Sequence, residues 1–154
     1  MASSFIKFQG FGFWSTDNAL DDWLNFLRAE IDKLSEKPDW LGAYSQHLYE
    51  QNYIAGGGCM NAGLDDFLTE DSRKEMLLDL TRKAIARIET YNGTINTREL
   101  LEMGLGSGNS YVSWWVETTS TDRILNIGNA FLRLLQGQIK TDASTSPVMD
   151  SRKS

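Results

Sequence analysis

The chain has one cysteine, Cys59, and one histidine, His47, in 154 residues. A lone cysteine excludes an internal disulfide, and one Cys with one His cannot supply the usual ligand set of a zinc site. The residue types allow a Cys59–His47 nucleophile pair, but no third residue stands out to orient the histidine, and Cys59 follows three glycines. A histidine without a catalytic role is the expectation. No apolar run reaches the ~18 residues of a membrane span. The opening Met1-Ala2-Ser3-Ser4 lacks the basic and apolar regions of a secretory signal, so the expected location is cytoplasmic. A complete phosphate-cradling motif is missing too. Gly104-Leu105-Gly106-Ser107-Gly108-Asn109-Ser110 is glycine-rich, yet it has no lysine after its last glycine, so it reads as a flexible connector. The run Gly56–Gly58 reads in the same way.

Positive charge is scarce where acid is dense. The net charge is −6, and it is unevenly placed. From Asp17 to Glu75 there are 13 acids against 5 bases, a net of −8; from Met76 to Lys140 there are 6 against 7, a net of +1. A surface drawn from the first half repels nucleic acid and attracts basic partners. The hydrophobic content of 41%, with 11% aromatic residues, is high enough to build a core rather than a disordered chain. The length suits one domain.

The patterning is mostly helical. Ser15, Thr16 or Asp17 is placed to cap a first helix whose stripe is Leu20, Trp23, Leu24, Leu27, Ile31 and Leu34. Asp21, Asn25, Arg28, Asp32 and Lys33 fall off that stripe, and Pro38 ends the helix. A second helix is expected from Asp39 with Trp40, Leu41, Tyr44, Leu48 and Tyr49, and a short helical turn near Leu64–Leu68. Ser72 and Glu75 have capping-box spacing for a long helix to Tyr91, and Asn92-Gly93 stops it. Asn96 caps a short helix over Leu100, Leu101 and Met103. Asp122 opens a last helix with Ile124, Leu125, Ile127, Gly128, Phe131, Leu134 and Leu135 inward. Two segments have strand character, Ile6 and Phe8 alternating with Lys7 and Gln9, and Tyr111–Thr118.

The densest chemistry lies in two related segments. Asn18-Ala19-Leu20-Asp21-Asp22-Trp23-Leu24 recurs as Asn61-Ala62-Gly63-Leu64-Asp65-Asp66-Phe67-Leu68. Each copy sets two carboxylates beside a large ring. Adjacent aspartates on a helix point apart, so each copy offers one carboxylate to a given site. Acids in a first helical turn also complement the helix dipole without any further role. If Asp22 and Asp66 converged, they would suit a hard cation such as magnesium or an acid–base pair. The tryptophans number 5. Most are expected in the core, but Trp40, Tyr49 and Trp114 are candidate binding anchors.

With its acidic segment 17–75 and its opening FGFWSTDNALDDWLNFL, the chain resembles the immunity proteins of bacterial toxin systems. The resemblance is one of general character, and it implies a non-enzymatic inhibitor that covers a toxin domain. The expectations are then as follows. The fold is mainly α, one domain over residues 1–140 with about five helices and a small strand pairing between 5–9 and 111–117; residues 141–154 form a flexible tail. Asp21, Asp22, Asp65, Asp66, Trp40, Tyr49 and Trp114 bind a protein partner, a basic toxin domain. No cofactor, nucleic acid or membrane is involved. The alternatives are a divalent-metal enzyme or metal-binding domain using the aspartate pairs, and a structural homo-oligomer.

Overall fold

Gln9 and Gly10 both have positive φ, 53° and 86°. That pair of left-handed residues makes the tight turn whose twist suits a two-residue hairpin. It joins β1 (Ser3–Phe8) to β2 (Phe11–Thr16) in an antiparallel pair, with Phe5 opposite Trp14 and Ile6 opposite Phe13. The partner of the first strand is the segment next to it in sequence. A computed structural model describes residues 2–55, 58–105 and 116–146, and most of the expected second strand, 111–115, lies outside them. Gly12 is required within β2, because a Cβ there would come 1.9 Å from the carbonyl oxygen of Ile6. On the inner face of the hairpin Ile6, Phe8 and Phe13 enter the core, while on the other face Phe5 and Trp14 pair with ring centroids 5.3 Å apart.

The chain then runs through α1 (Asp17–Asp32), α2 (Asp39–Tyr53), α3 (Leu64–Phe67), α4 (Asp71–Glu89), β3 (Thr94–Asn96), α5 (Thr97–Glu102), β4 (Thr118–Ser120) and α6 (Asp122–Leu135). β3 and β4 form a second antiparallel pair. Among the described residues there are thus six helices and two small sheets. The domain is mainly helical, as the periodicity indicates, with more strand than expected. None of the helices in the described residues is long and apolar enough to cross a membrane.

Helix α1 is the centre of the fold and packs against α2, α4, α6 and β2. Its expected stripe is buried from Leu20 to Ile31, while Leu34 lies beyond the helix end and is half-buried; Phe26 is buried on a further side, where it meets Tyr91 edge-on and lies under the guanidinium of Arg87. Trp23 is fully enclosed and packs on Phe131, with centroids 5.6 Å apart. Gly128 of α6 makes room for that indole, since a Cβ there would lie 2.7 Å from a Trp23 ring carbon.

Several helix ends differ from the sequence expectation. Thr16 stands at the start of α1 without a side-chain cap bond. Asp17 instead turns into the interior, accepting from Ser4 Oγ at 2.7 Å and from the Gly58 N–H at 2.6 Å. α4 begins at Asp71 after Glu70, so Ser72 lies inside the helix and makes no capping box. Asp122 is the first residue of α6, and its N–H faces Ser120 Oγ at 3.3 Å. Asn96 does cap α5, accepting from the Arg98 N–H at 2.9 Å. Asn92 and Gly93 are both left-handed beyond α4, as expected of a stop. The start of the expected tail, residues 141–146, is tied to the hairpin. The Gly12 N–H donates to Thr141 O, the Thr141 hydroxyl donates to Gly12 O, and the Trp14 indole N–H donates to Ala143 O at 2.7 Å.

The Gly128–Trp23 contact yields a direct expectation. Gly128→Val forces branched carbons against a ring that has no space to move, and overpacking of this kind costs about 1–3 kcal/mol. Urea unfolding should show a lower midpoint with an unchanged slope; an unchanged midpoint would mean that α6 and α1 do not meet as closely as described.

Candidate functional site

α3 is one turn long and is held by its neighbours rather than by helix propensity. Gly63 precedes it with φ 68°, and a Cβ there would lie 2.8 Å from His47 Nε2. Leu64 and Leu68 are buried. Between them the Phe67 ring meets Tyr44 edge-on at 5.1 Å and His47 at 5.4 Å. His47 Nε2 lies 2.7 Å from Asn61 O, and the Asn61 N–H donates to Gln51 Oε1 at 2.9 Å. Three residues of α2 and the loop before α3 therefore fix its position. On the other side the Gln9 N–H, in the hairpin turn, donates to Asp65 Oδ1 at 2.8 Å.

The start of α4 continues the same surface. Arg73 donates from Nη1 to Phe67 O at 3.1 Å, and its guanidinium lies over the Trp40 ring, 5.3 Å from the centroid. The stacking keeps this cation against the protein and half-buries Trp40. Around it Asp65, Asp66, Glu70, Asp71 and Glu75 are all exposed. None of the five is in an ion pair among the described residues, where the ion pairs are Lys33–Glu30, Lys83–Asp79 and Arg87–Glu99. Glu70, Asp71 and Glu75 were not singled out by sequence reasoning. The signal was present as the run of acids from 65 to 75, but Glu75 read as half of a capping box.

The first acidic pair has a different fate. Asp21 is fully buried, and the Asn52 amide donates both to its Oδ1 and, at 3.1 Å, to its backbone carbonyl. Asn25, expected on the solvent side, is also buried and donates to Asp21 O at 3.2 Å. Asp21 is thus withdrawn from the partner-binding set: α2 packs over the side of α1 that the hydrophobic stripe leaves polar. Asp22 is half-buried. The twin segments do not build twin sites, since one lies inside a 16-residue helix and the other forms a one-turn surface helix. Tyr49 is 43% exposed and carries the Arg28 guanidinium on its face, 5.2 Å from the centroid. Trp114 lies outside the described residues, as does 106–110 of the glycine-rich loop.

Among the described residues no group of three or more His, Cys, Asp or Glu is arranged to hold a metal ion. No hydrogen bond joins Cys59 to His47, and Cys59 is exposed. What the arrangement offers chemically is a rigidly mounted set of carboxylates beside a half-covered indole. Comparison with protein-family models, with characterised proteins and with solved structures finds no match to this chain.

Two expectations follow from the polar groups behind this surface. Asn52→Ala removes the amide that meets a buried carboxylate, and losing a hydrogen bond to a charged group costs about 1.5–3 kcal/mol; denaturant unfolding measures it, and a loss below about 0.5 kcal/mol would count against the pairing. Tyr44 is the second case. Its hydroxyl is buried and has no hydrogen-bond partner, and burial pushes its pKa far above the ordinary tyrosine range. The unfolded chain releases this proton near pH ~10 while the folded chain keeps it, so stability falls as pH rises above that value. Tyr44→Phe is expected to raise stability by about 1 kcal/mol at neutral pH and to flatten the alkaline decline. Identical alkaline melting curves for the two proteins would show that the phenol is not enclosed.

Proposed function

We propose that this protein is a non-enzymatic binding module, an acidic inhibitor of the immunity type that covers a basic surface of a toxin domain. The observation that carries the reading is the α3–α4 surface. Five carboxylates between Asp65 and Glu75 face solvent without cationic partners among the described residues, while Arg73 is drawn back onto Trp40. Unpaired surface acids repel one another, which makes the face electrostatically complementary to lysines and arginines. Such complementarity speeds encounter and excludes wrong partners more than it adds affinity. Trp40 supplies the apolar element beside the acids, and its burial under Arg73 leaves part of the ring for contact. The same field disfavours nucleic acid, whose phosphates would meet carboxylates.

The acids suited to a test are Asp66, Asp71 and Glu75, because Asp65 holds the hairpin turn and Asp21 lies in the core. Tagged protein passed through lysate of its source cells should retain a basic protein at low salt and release it at high salt. The triple variant Asp66→Lys, Asp71→Lys, Glu75→Lys should keep its melting temperature within a few degrees and lose that protein. Retention of the same partner by the variant, with unchanged association rate and salt dependence, would remove this face from the function.

A further inference from the structure

The segment from Asp17 to Glu75 contains only five bases, and two of them face one cleft. After α1 ends, the chain 33–38 turns back into α2, and the two helices leave between them an open cleft of about 300 Å³. Arg28 of α1, Lys37 of the connection and Ser45, Gln46 and Tyr49 of α2 line it, together with Asp32. The volume falls at the lower end of what small-molecule sites occupy, roughly 300–1,000 Å³.

Lys33 is the one base of the segment that forms an ion pair among the described residues. Lys33 pairs with Glu30 at 2.6 Å, and Arg73 is stacked on Trp40. Neither Arg28 nor Lys37 forms an ion pair among the described residues; Lys37 reaches only the carbonyl of Leu34, at 3.4 Å. The Arg28 guanidinium lies 5.2 Å from the Tyr49 ring centroid and 5.6 Å from that of Tyr53. Its Nη2 donates to Asn25 Oδ1 at 2.8 Å. The two rings, whose centroids are 4.8 Å apart, both lie to one side of it and Asn25 accepts at one corner, so the fork is held in place, and its remaining N–H groups meet no acceptor among the described residues. A guanidinium fixed in this way loses little freedom on meeting a planar oxyanion. It also matches the two oxygens of a carboxylate or phosphate by paired hydrogen bonds.

Asp32 bears on the sign of the site. Its Oδ1 accepts from Ser45 Oγ at 2.8 Å, and it forms no ion pair with either cation. The cleft therefore carries two positive charges against one negative, within the most acidic stretch of the chain. We propose that the α1–α2 cleft binds a small oxyanion, a carboxylate or a phosphate, gripped by the fork of Arg28 and the ammonium of Lys37, with the Gln46 amide as a further donor. The site is independent of the acidic α3–α4 face.

The test is a titration of isotope-labelled protein at neutral pH and constant ionic strength, with inorganic phosphate in one arm and succinate in the other. The Arg28 Nε–H and the Ser45 and Gln46 amides are followed by nuclear magnetic resonance. Saturable shifts confined to the cleft are expected in at least one arm, and the tighter arm names the ligand class. Arg28→Gln should weaken binding by about tenfold or more, the usual scale of a charge-assisted hydrogen bond. Lys37 is exposed and packs no core, so Lys37→Gln should weaken binding with an unchanged melting temperature. Lys83→Gln, which alters a base on α4 already paired with Asp79, should leave it unchanged. Saturation in neither arm, shifts spread evenly over the surface lysines, or undiminished binding in Lys37→Gln would overturn the proposal.

Discussion

Helix α1 lies at the centre of the packing, and the carboxylates on it that leave water are met by other parts of the chain. A buried carboxylate without donors costs several kcal/mol, more than most single contacts return. The structure answers this twice. Asp17 accepts from Ser4 of the hairpin and from the Gly58 N–H, while Ser4 Oγ in turn accepts from the Met60 N–H at 3.1 Å. Asp21 is met by Asn52, 31 positions along the chain. These bonds join the hairpin, the first two helices and the segment before α3 into one unit. These polar contacts tie the pieces together, while the apolar contacts around them supply the bulk of the driving force.

The surface features depend on that unit. α3 has too few residues to be helical unaided, and it holds its place because Phe67, Leu64 and Leu68 reach into a frame made by Tyr44, His47 and the core. Its carboxylates stay outside because its apolar residues are inside. Arg73 and Arg28 are both stacked on rings, with different results. Arg73 covers an indole and leaves the acids around it uncompensated, whereas Arg28 is clamped at the rim of a cleft with its edge open. Charge on this protein is thus sorted over short distances by aromatic side chains, and the net value of −6 describes neither place.

Much of the fold could be read from the order of residues. The α1 stripe, the start of α2 at Asp39, the left-handed stop at Asn92-Gly93, the Asn96 cap and the inward face of α6 all rest on interactions spanning a turn or less, and they appear where periodicity placed them. The hairpin is only half legible: Ile6 and Phe8 announce a strand, but Gln9 in a left-handed conformation carries little sequence signal, so nothing local marks Phe11–Thr16 as its partner. The candidate site was legible as composition, since Asp65, Asp66 and Trp40 lie on the acidic surface. Asp21 was misplaced, because the off-stripe side of a helix reads as solvent unless a second helix is known to cover it.

The sequence by itself determined the helical character, the stops and caps, and the concentration of acid in the first half, since these follow from backbone preferences and charge counts within a few residues. Tertiary structure alone decided which of two near-identical Asp-Asp pairs has a carboxylate enclosed and which faces water. That choice rests on whether an amide 31 residues away arrives to satisfy the carboxylate. No local rule contains that information, because the cost of burying a charge depends on donors that only the folded chain brings to it.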